Sequence, residues 1–223
     1  MEKKIKELLM STNRTGIGVL INELSNIGFF KAPCSTQYHL CKPGGLMEHS
    51  LNVYNALVEL NDALDARLPK DSMIIAAILH DIGKCGQFGK AYYVPNMVRS
   101  KTKNKLTGEY DIVQSEAKPY EANKELLSEE HEIRSVIIAS RFIDLTEEEQ
   151  SAILHHNGLW GKLDSGFSST VDKTKLGLLL HFADMLDTLS FVFSEYCSTI
   201  ALIYGLTFWV SNLYEALEMK MPM

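Results

Sequence analysis

Residues 71–84 read Asp-Ser-Met-Ile-Ile-Ala-Ala-Ile-Leu-His-Asp-Ile-Gly-Lys. From Met73 to Leu79 every side chain is apolar, so a helix here has no solvent face and must be the central one of its domain. Asp71-Ser72 is a suitable N-cap and Gly83 a helix-ending residue, which puts His80 and Asp81 at the buried C-terminal end. Neighbours on a helix point about 100° apart. The two can therefore meet one ligand only at a helix end, where the backbone opens.

Upstream, Leu46, His49, Val53, Leu57, Leu60 and Leu64 recur at steps of three or four and draw one stripe down a helix over about 46–64, with His49 on it. Residues 1–10 and 16–27 read as two further amphipathic helices, the second closed by Gly28. Between them and the striped helix, 29–45 contains Pro33, Pro43, Gly44 and Gly45 and reads as a loop. Downstream, 84–124 is rich in Gly, Lys, Asn, Pro and Tyr, a long connection of the kind that forms a lid or binding loop, with room for a short hairpin around Asn104 to Gly108. Helix resumes near Ser128. Another begins at Thr146, where Glu149 completes a capping box, and ends at His155-His156-Asn157-Gly158. After a polar loop at 157–172, a helix over about 173–197 places Leu176, Leu180, Asp184, Asp187 and Phe191 along one side.

The fold class expected is all-α: a helical bundle with a long insertion loop after the His80-Asp81 helix. Its organisation reads as N-terminal helices over 1–45 packed on the core, a main domain over 46–197 and an apolar, aromatic appendage over 198–223. That tail is expected to form one or two helices on the domain or on a second subunit, so a homodimer stays open.

A hydrophobic content of 46% in 223 residues supports a full core. The net charge of -6 argues against a surface that coats nucleic acid, and no stable duplex partner is expected. No apolar run approaches the roughly 20 residues of a membrane-spanning helix, and MEKKIKELLM lacks the apolar centre of a signal peptide. A cytoplasmic protein without membrane contact is the expectation. Cys34, Cys41, Cys85 and Cys197 form no C-x-x-C pair, which suits reduced thiols better than disulfides or a zinc knuckle.

His49, His80, His131, His155 and His181, together with Asp81 and Asp184, lie in or beside the apolar stripes. A carboxylate buried without a partner is strongly unfavourable, and a divalent cation resolves that problem for all of them at once. His49 in GGLMEHSLNVYNAL, His80-Asp81 in AAILHDIGK and Asp184 in LLLHFADMLDT resemble the H…HD…D signature of the HD superfamily of metal-dependent phosphohydrolases. The resemblance covers about 44–196, and HDIGK is among its more specific parts. It implies that His49, His80, Asp81 and Asp184 bind a first metal and that Asp81 bridges to a second. His131 in SEEHEIRSV and His155 in AILHHNGLWG are the implied extra ligands, with His156 as replacement or supplement for His155.

Nitrogen and carboxylate ligands suit Mn, Fe, Co, Ni or Zn and accept Mg weakly, without choosing among them. The resemblance implies hydrolysis of a phosphate ester or anhydride, the substrate being a nucleotide or other small phosphorylated molecule, with Asp81 and Lys84 in catalytic roles. Lys84, one turn past His80, is the first choice for a contact with substrate phosphate; its alternative is a helix C-terminal lysine on the dipole. Arg134, three residues after His131, is the second. Arg99, Lys101, Lys103 and Lys105 read as a solvated loop face, and Tyr92, Tyr93 and Tyr120 either stack on a base or pack the loop. His39 and His181 read as structural. Two other readings use the same ligands: a di-iron oxygenase, and a phosphodiesterase or exonuclease acting on short RNA or cyclic dinucleotides.

Overall fold

The structure, a computed structural model of the chain, describes residues 1–158 and 174–196, with side chains in the last stretch described to residue 189. The polar loop expected at 157–172 lies mostly outside the described residues, as do Cys197 and the tail at 198–223. Met1–Asp187 form one compact unit; of the second, Thr188–Met223, the described part is the end of the last helix.

The central helix is α4, Lys70–Leu79, in which every residue from Ser72 to Leu79 is buried. It packs against α1 (Glu2–Ser11), α3 (Gly45–Ala63), α5 (His131–Ser140) and α6 (Glu147–His155). Helix α2 (Ile17–Asn26) buries Ile17, Leu20, Ile21 and Leu24, and packs on α1 through the buried Ile5, Leu8 and Leu9. Helix α7 spans Lys175–Tyr196 and buries Leu176, Leu179, Leu180 and Ala183. Among the described residues, no helix is long and apolar enough to cross a membrane.

Two details of α4 differ from the expectation. The helix is capped by Pro69 rather than by Asp71-Ser72. It also ends at Leu79, before Gly83: His80 is the C-cap, Asp81 leaves helical geometry at φ -110°, and a 3-10 turn follows over Ile82–Cys85. Gly83 serves another purpose, since a Cβ there would stand 2.1 Å from the His131 carbonyl oxygen. Its N–H donates to Ser135 Oγ at 2.9 Å. The missing side chain lets the first turn of α5 close on the His80-Asp81 corner.

The insertion corrects the all-α expectation. It holds three antiparallel two-stranded ladders: β1 (Gly86–Gln87) with β2 (Lys90–Ala91), β3 (Tyr93–Pro95) with β6 (Tyr120–Ala122), and β4 (Met97–Lys103) with β5 (Tyr110–Gln114). The turn of the last ladder runs through Asn104 and Gly108, where Asn104 N–H donates to the Glu109 carbonyl at 2.7 Å. Strands β4 and β5 are exposed along almost their whole length. No buried face existed to impose a period-two pattern, and local pairing holds them instead.

Helix α6 begins as its residues require, with the capping box of Thr146 and Glu149 formed in both directions. Glu149 also takes the Arg14 guanidinium on both oxygens, tying the α1–α2 connection to α6. Burial alone raises the Glu149 carboxyl, but Arg14, the Thr146 N–H and Ser72 more than offset it, so the group titrates below the usual glutamate range. A carboxyl depressed on folding contributes stability above its unfolded pKa of about 4.3 and loses it as pH falls through the folded value. Glu149→Gln is expected to cost about 1–3 kcal/mol at pH 7 in urea unfolding, with the gap to wild type closing below about pH 4. An unchanged gap would contradict the pairing.

Candidate metal centre

Five helices deliver groups to the same point: α3 His49, the end of α4 His80 and Asp81, the first turn of α5 His131, the C-cap of α6 His156, and α7 Asp184. His49 Nε2 lies 3.2 Å from His80 Nε2, 3.5 Å from Asp81 Oδ2 and 3.1 Å from Asp184 Oδ1. His80 Nε2 is 3.5 Å from Asp81 Oδ2 and 4.0 Å from Asp184 Oδ1. Donors at about 2.1 Å from one ion stand roughly 3–4 Å from each other. That is the spacing observed.

Asp81 turns its other oxygen to a second group. Its Oδ1 is 3.1 Å from His131 Nε2 and 3.5 Å from His156 Nε2. Asp81 is 1% exposed, and among the described residues Oδ1 makes no hydrogen bond of good geometry. A buried carboxylate oxygen facing two ring nitrogens without a bond is unfavourable on its own and suited to a cation. The residues therefore fit a pair of divalent ions sharing Asp81.

Three of the rings are fixed from behind. His80 Nδ1 donates to the Ala77 carbonyl at 2.9 Å, His156 Nδ1 to the Ile153 carbonyl at 2.7 Å, and His49 Nδ1 to Asp187 Oδ2 at 2.7 Å. With Nδ1 carrying the proton, each Nε2 presents a lone pair inward, as metal ligation requires. Asp187 in turn accepts from Asn52 Nδ2 at 2.8 Å and from His39 Nε2 at 2.5 Å.

Burial alone raises Asp81, Asp184 and Asp187, and the neighbouring lysine and imidazoles reverse it. Lys84 and His80 hold Asp81 well below the usual range, His49 lowers Asp184, and His39 and His49 lower Asp187. Burial keeps His80 below its ordinary value, in the neutral form a ligand needs. For His49 the same burial is outweighed by Cys34, Asp184, Asp187 and Asp81, which together raise it.

Of the residues singled out in the sequence, His49, His80, Asp81, His131 and Asp184 come together here. Of the His155-His156 pair it is His156 that is buried and stands 3.5 Å from Asp81 Oδ1, whereas His155 is partly exposed. Adjacent helical residues diverge by about 100°, so only one of the pair can face inward. Lys84 reaches Asp81 Oδ2 at 2.5 Å, its side chain 18% exposed. Arg134 is buried and committed to protein, donating to Gln87 Oε1 at 3.1 Å and the Leu127 carbonyl at 2.9 Å; it clamps β1 to α5 rather than facing substrate.

Sequence reasoning missed Asp187 and His39 as supports of His49. Asp187 had a signal, one turn after Asp184 on the same stripe; His39, in an irregular loop, had none. His181 Nδ1 donates to the His156 carbonyl at 2.6 Å, locking the end of α6 to α7.

The helices bring histidines and aspartates, in the order H…HD…D, into groups that could hold a metal ion. The family model of the HD domain matches residues 46–189, and the chain belongs to the HD domain family. It is also similar to a dihydroneopterin 2',3'-cyclic phosphate phosphodiesterase of Methanocaldococcus jannaschii, with 31% identity over 88 residues, 38% of this chain and 34% of the relative. The match thus spans about a third of the relative's length. No solved structure gives a significant match.

Loss of a carboxylate behind a ligating histidine typically costs 10–100-fold in metal affinity. Asp187→Asn is therefore expected to weaken Mn2+ binding by about 10-fold or more in titration calorimetry, with helical content unchanged. Equal affinity would remove Asp187 from the site.

Proposed function

We propose that this chain is a metal-dependent phosphohydrolase acting on a small phosphorylated molecule of nucleotide type, with two divalent ions. His49, His80 and Asp184 hold one ion, His131 and His156 the other, and Asp81 both. The observation that carries the reading is the Asp81 carboxylate, whose two oxygens address two separate sets of imidazoles. Ions held there supply Lewis acidity, acidifying water and drawing charge from a phosphoryl group.

The remaining work falls to the chain's own residues. The Lys84 ammonium borders Asp81 and stays protonated: burial alone would lower it, but Asp81 and its other neighbours raise it well above the ordinary value. A fixed cation at the rim of the centre favours an anionic substrate over a neutral one. Tyr93, on β3, is pushed up to about 12 by burial, partly offset by Lys84. Its phenol is a neutral hydrogen-bond donor at physiological pH. The insertion thereby brings a donor to the same edge as Lys84, suited to a phosphate oxygen or a base.

The similarity to a cyclic phosphate phosphodiesterase makes a 2',3'-cyclic phosphate the first substrate to test. Purified protein loaded with Mn2+, Co2+, Ni2+ or Mg2+ is to be assayed against nucleoside 2',3'-cyclic phosphates, nucleotides and cyclic dinucleotides, reading released phosphate or phosphomonoester. Turnover is expected with at least one of them. His80→Ala and Asp81→Asn should each lower kcat/KM by roughly 1,000-fold, equivalent to about 4 kcal/mol of barrier, with retained helicity. Activity unchanged in both variants, or O2 uptake without phosphate release, would overturn the proposal.

A further inference from the structure

Cys34 lies in the loop ahead of α3, outside residues 46–189 matched by the HD domain, yet it reaches the metal centre. Its sulfur, a ring nitrogen of His49 and a carboxylate oxygen of Asp81 all lie within 4.8 Å of one another, and all three residues are buried. The loop aims it there. Cys34 N–H donates to the Leu40 carbonyl at 3.2 Å and Leu46 N–H to the Ala32 carbonyl at 3.0 Å, while Ser35 Oγ donates to the His39 carbonyl at 2.8 Å.

A structural buried cysteine behaves as a small apolar group among apolar neighbours. Both Cys34 and Cys85 are buried against the hydrophobic core, but Cys85 is in none of the ligand groups among the described residues, whereas Cys34 is in one. Burial pushes the Cys34 thiol up, and the charges of His49 and Lys84 act against that. A second observation points to a cation at the same His49 ring: it also belongs to a ligand group with His80 and Asp184, while the far oxygen of the shared Asp81, Oδ1, is turned to His131 and His156.

We infer that Cys34 is a further ligand of the ion held by His49, a thiolate that tilts this centre toward the thiophilic cations Zn2+, Co2+ and Cd2+ and away from Mg2+ and Mn2+. The inference rests on the metal-centre reading above. On ligation the S–H bond breaks, its electron pair goes to the cation and the proton leaves to solvent. Soft sulfur beside nitrogen and oxygen donors favours borderline and soft ions over hard ones. The N-terminal segment is then part of the active centre.

Co2+ titration of the full chain tests this, because the visible d–d bands report any bound cobalt and a near-ultraviolet thiolate-to-cobalt band reports sulfur ligation. Wild type and Cys41→Ser are expected to give both. Cys34→Ser and Cys34→Ala should keep the visible bands and lose the near-ultraviolet one. Their Cd2+ affinity should fall about tenfold or more, and their Mn2+ affinity less than about threefold. The wild-type spectrum decides even if a variant misfolds: visible bands without the near-ultraviolet band overturn Cys34 ligation and leave the centre standing. A near-ultraviolet band that survives in both Cys34 variants does the same. Failure of wild type to bind cobalt at all would overturn both this proposal and the metal centre.

Discussion

A carboxylate buried at the centre of an apolar helical bundle must be compensated, and Asp81 is that carboxylate. Its burial is forced by α4, whose apolar run from Met73 to Leu79 leaves no way to place the next turn in solvent. Around Asp81 the chain gathers His49, His80, His131, His156, Asp184 and Lys84. Replacing any one of them alone leaves the others with unbalanced charge or an unsatisfied polar group. Other features of the fold follow as conditions on that gathering. Gly83 has no side chain because α5 must approach, the ends of α4 and α6 supply carbonyls that orient His80 and His156, and Asp187 stands behind His49.

How much of this was legible depended on whether a residue shared a period with its neighbours. His49 and Asp184 lay on helical stripes that any reading of the apolar spacing finds, and the His80-Asp81 pair ended a helix with no solvent face. The choice between His155 and His156 was illegible, because a helix of nine residues with weak amphipathicity does not fix its phase to within 100°. Cys34 and His39 were illegible for a different reason: their positions come from loop hydrogen bonds at 29–45, which leave no repeat in the sequence. Strands β4 and β5 pair across their own turn and bury little, so only the Asn104–Gly108 turn announced them.

The HD family match accounts for the helices from α3 onward, yet two residues at or directly behind the centre, Cys34 and His39, come from the segment before it. The insertion after α4 supplies Tyr93, near Lys84. The proposed ligands matched by the family thus sit on the helices, while Cys34, His39 and Tyr93 sit on the connections. Loops tolerate such variation because a rigid scaffold carries the geometry.

The central claim is that the two oxygens of Asp81 serve two ions. Electron paramagnetic resonance of the protein titrated with Mn2+ tests it directly, since two Mn2+ sharing a carboxylate are spin-coupled and an isolated ion is not. The account predicts a coupled multiline spectrum at about two equivalents that reverts to an isolated-ion signal in Asp81→Asn. A single uncoupled Mn2+ at saturation in the wild type would contradict it.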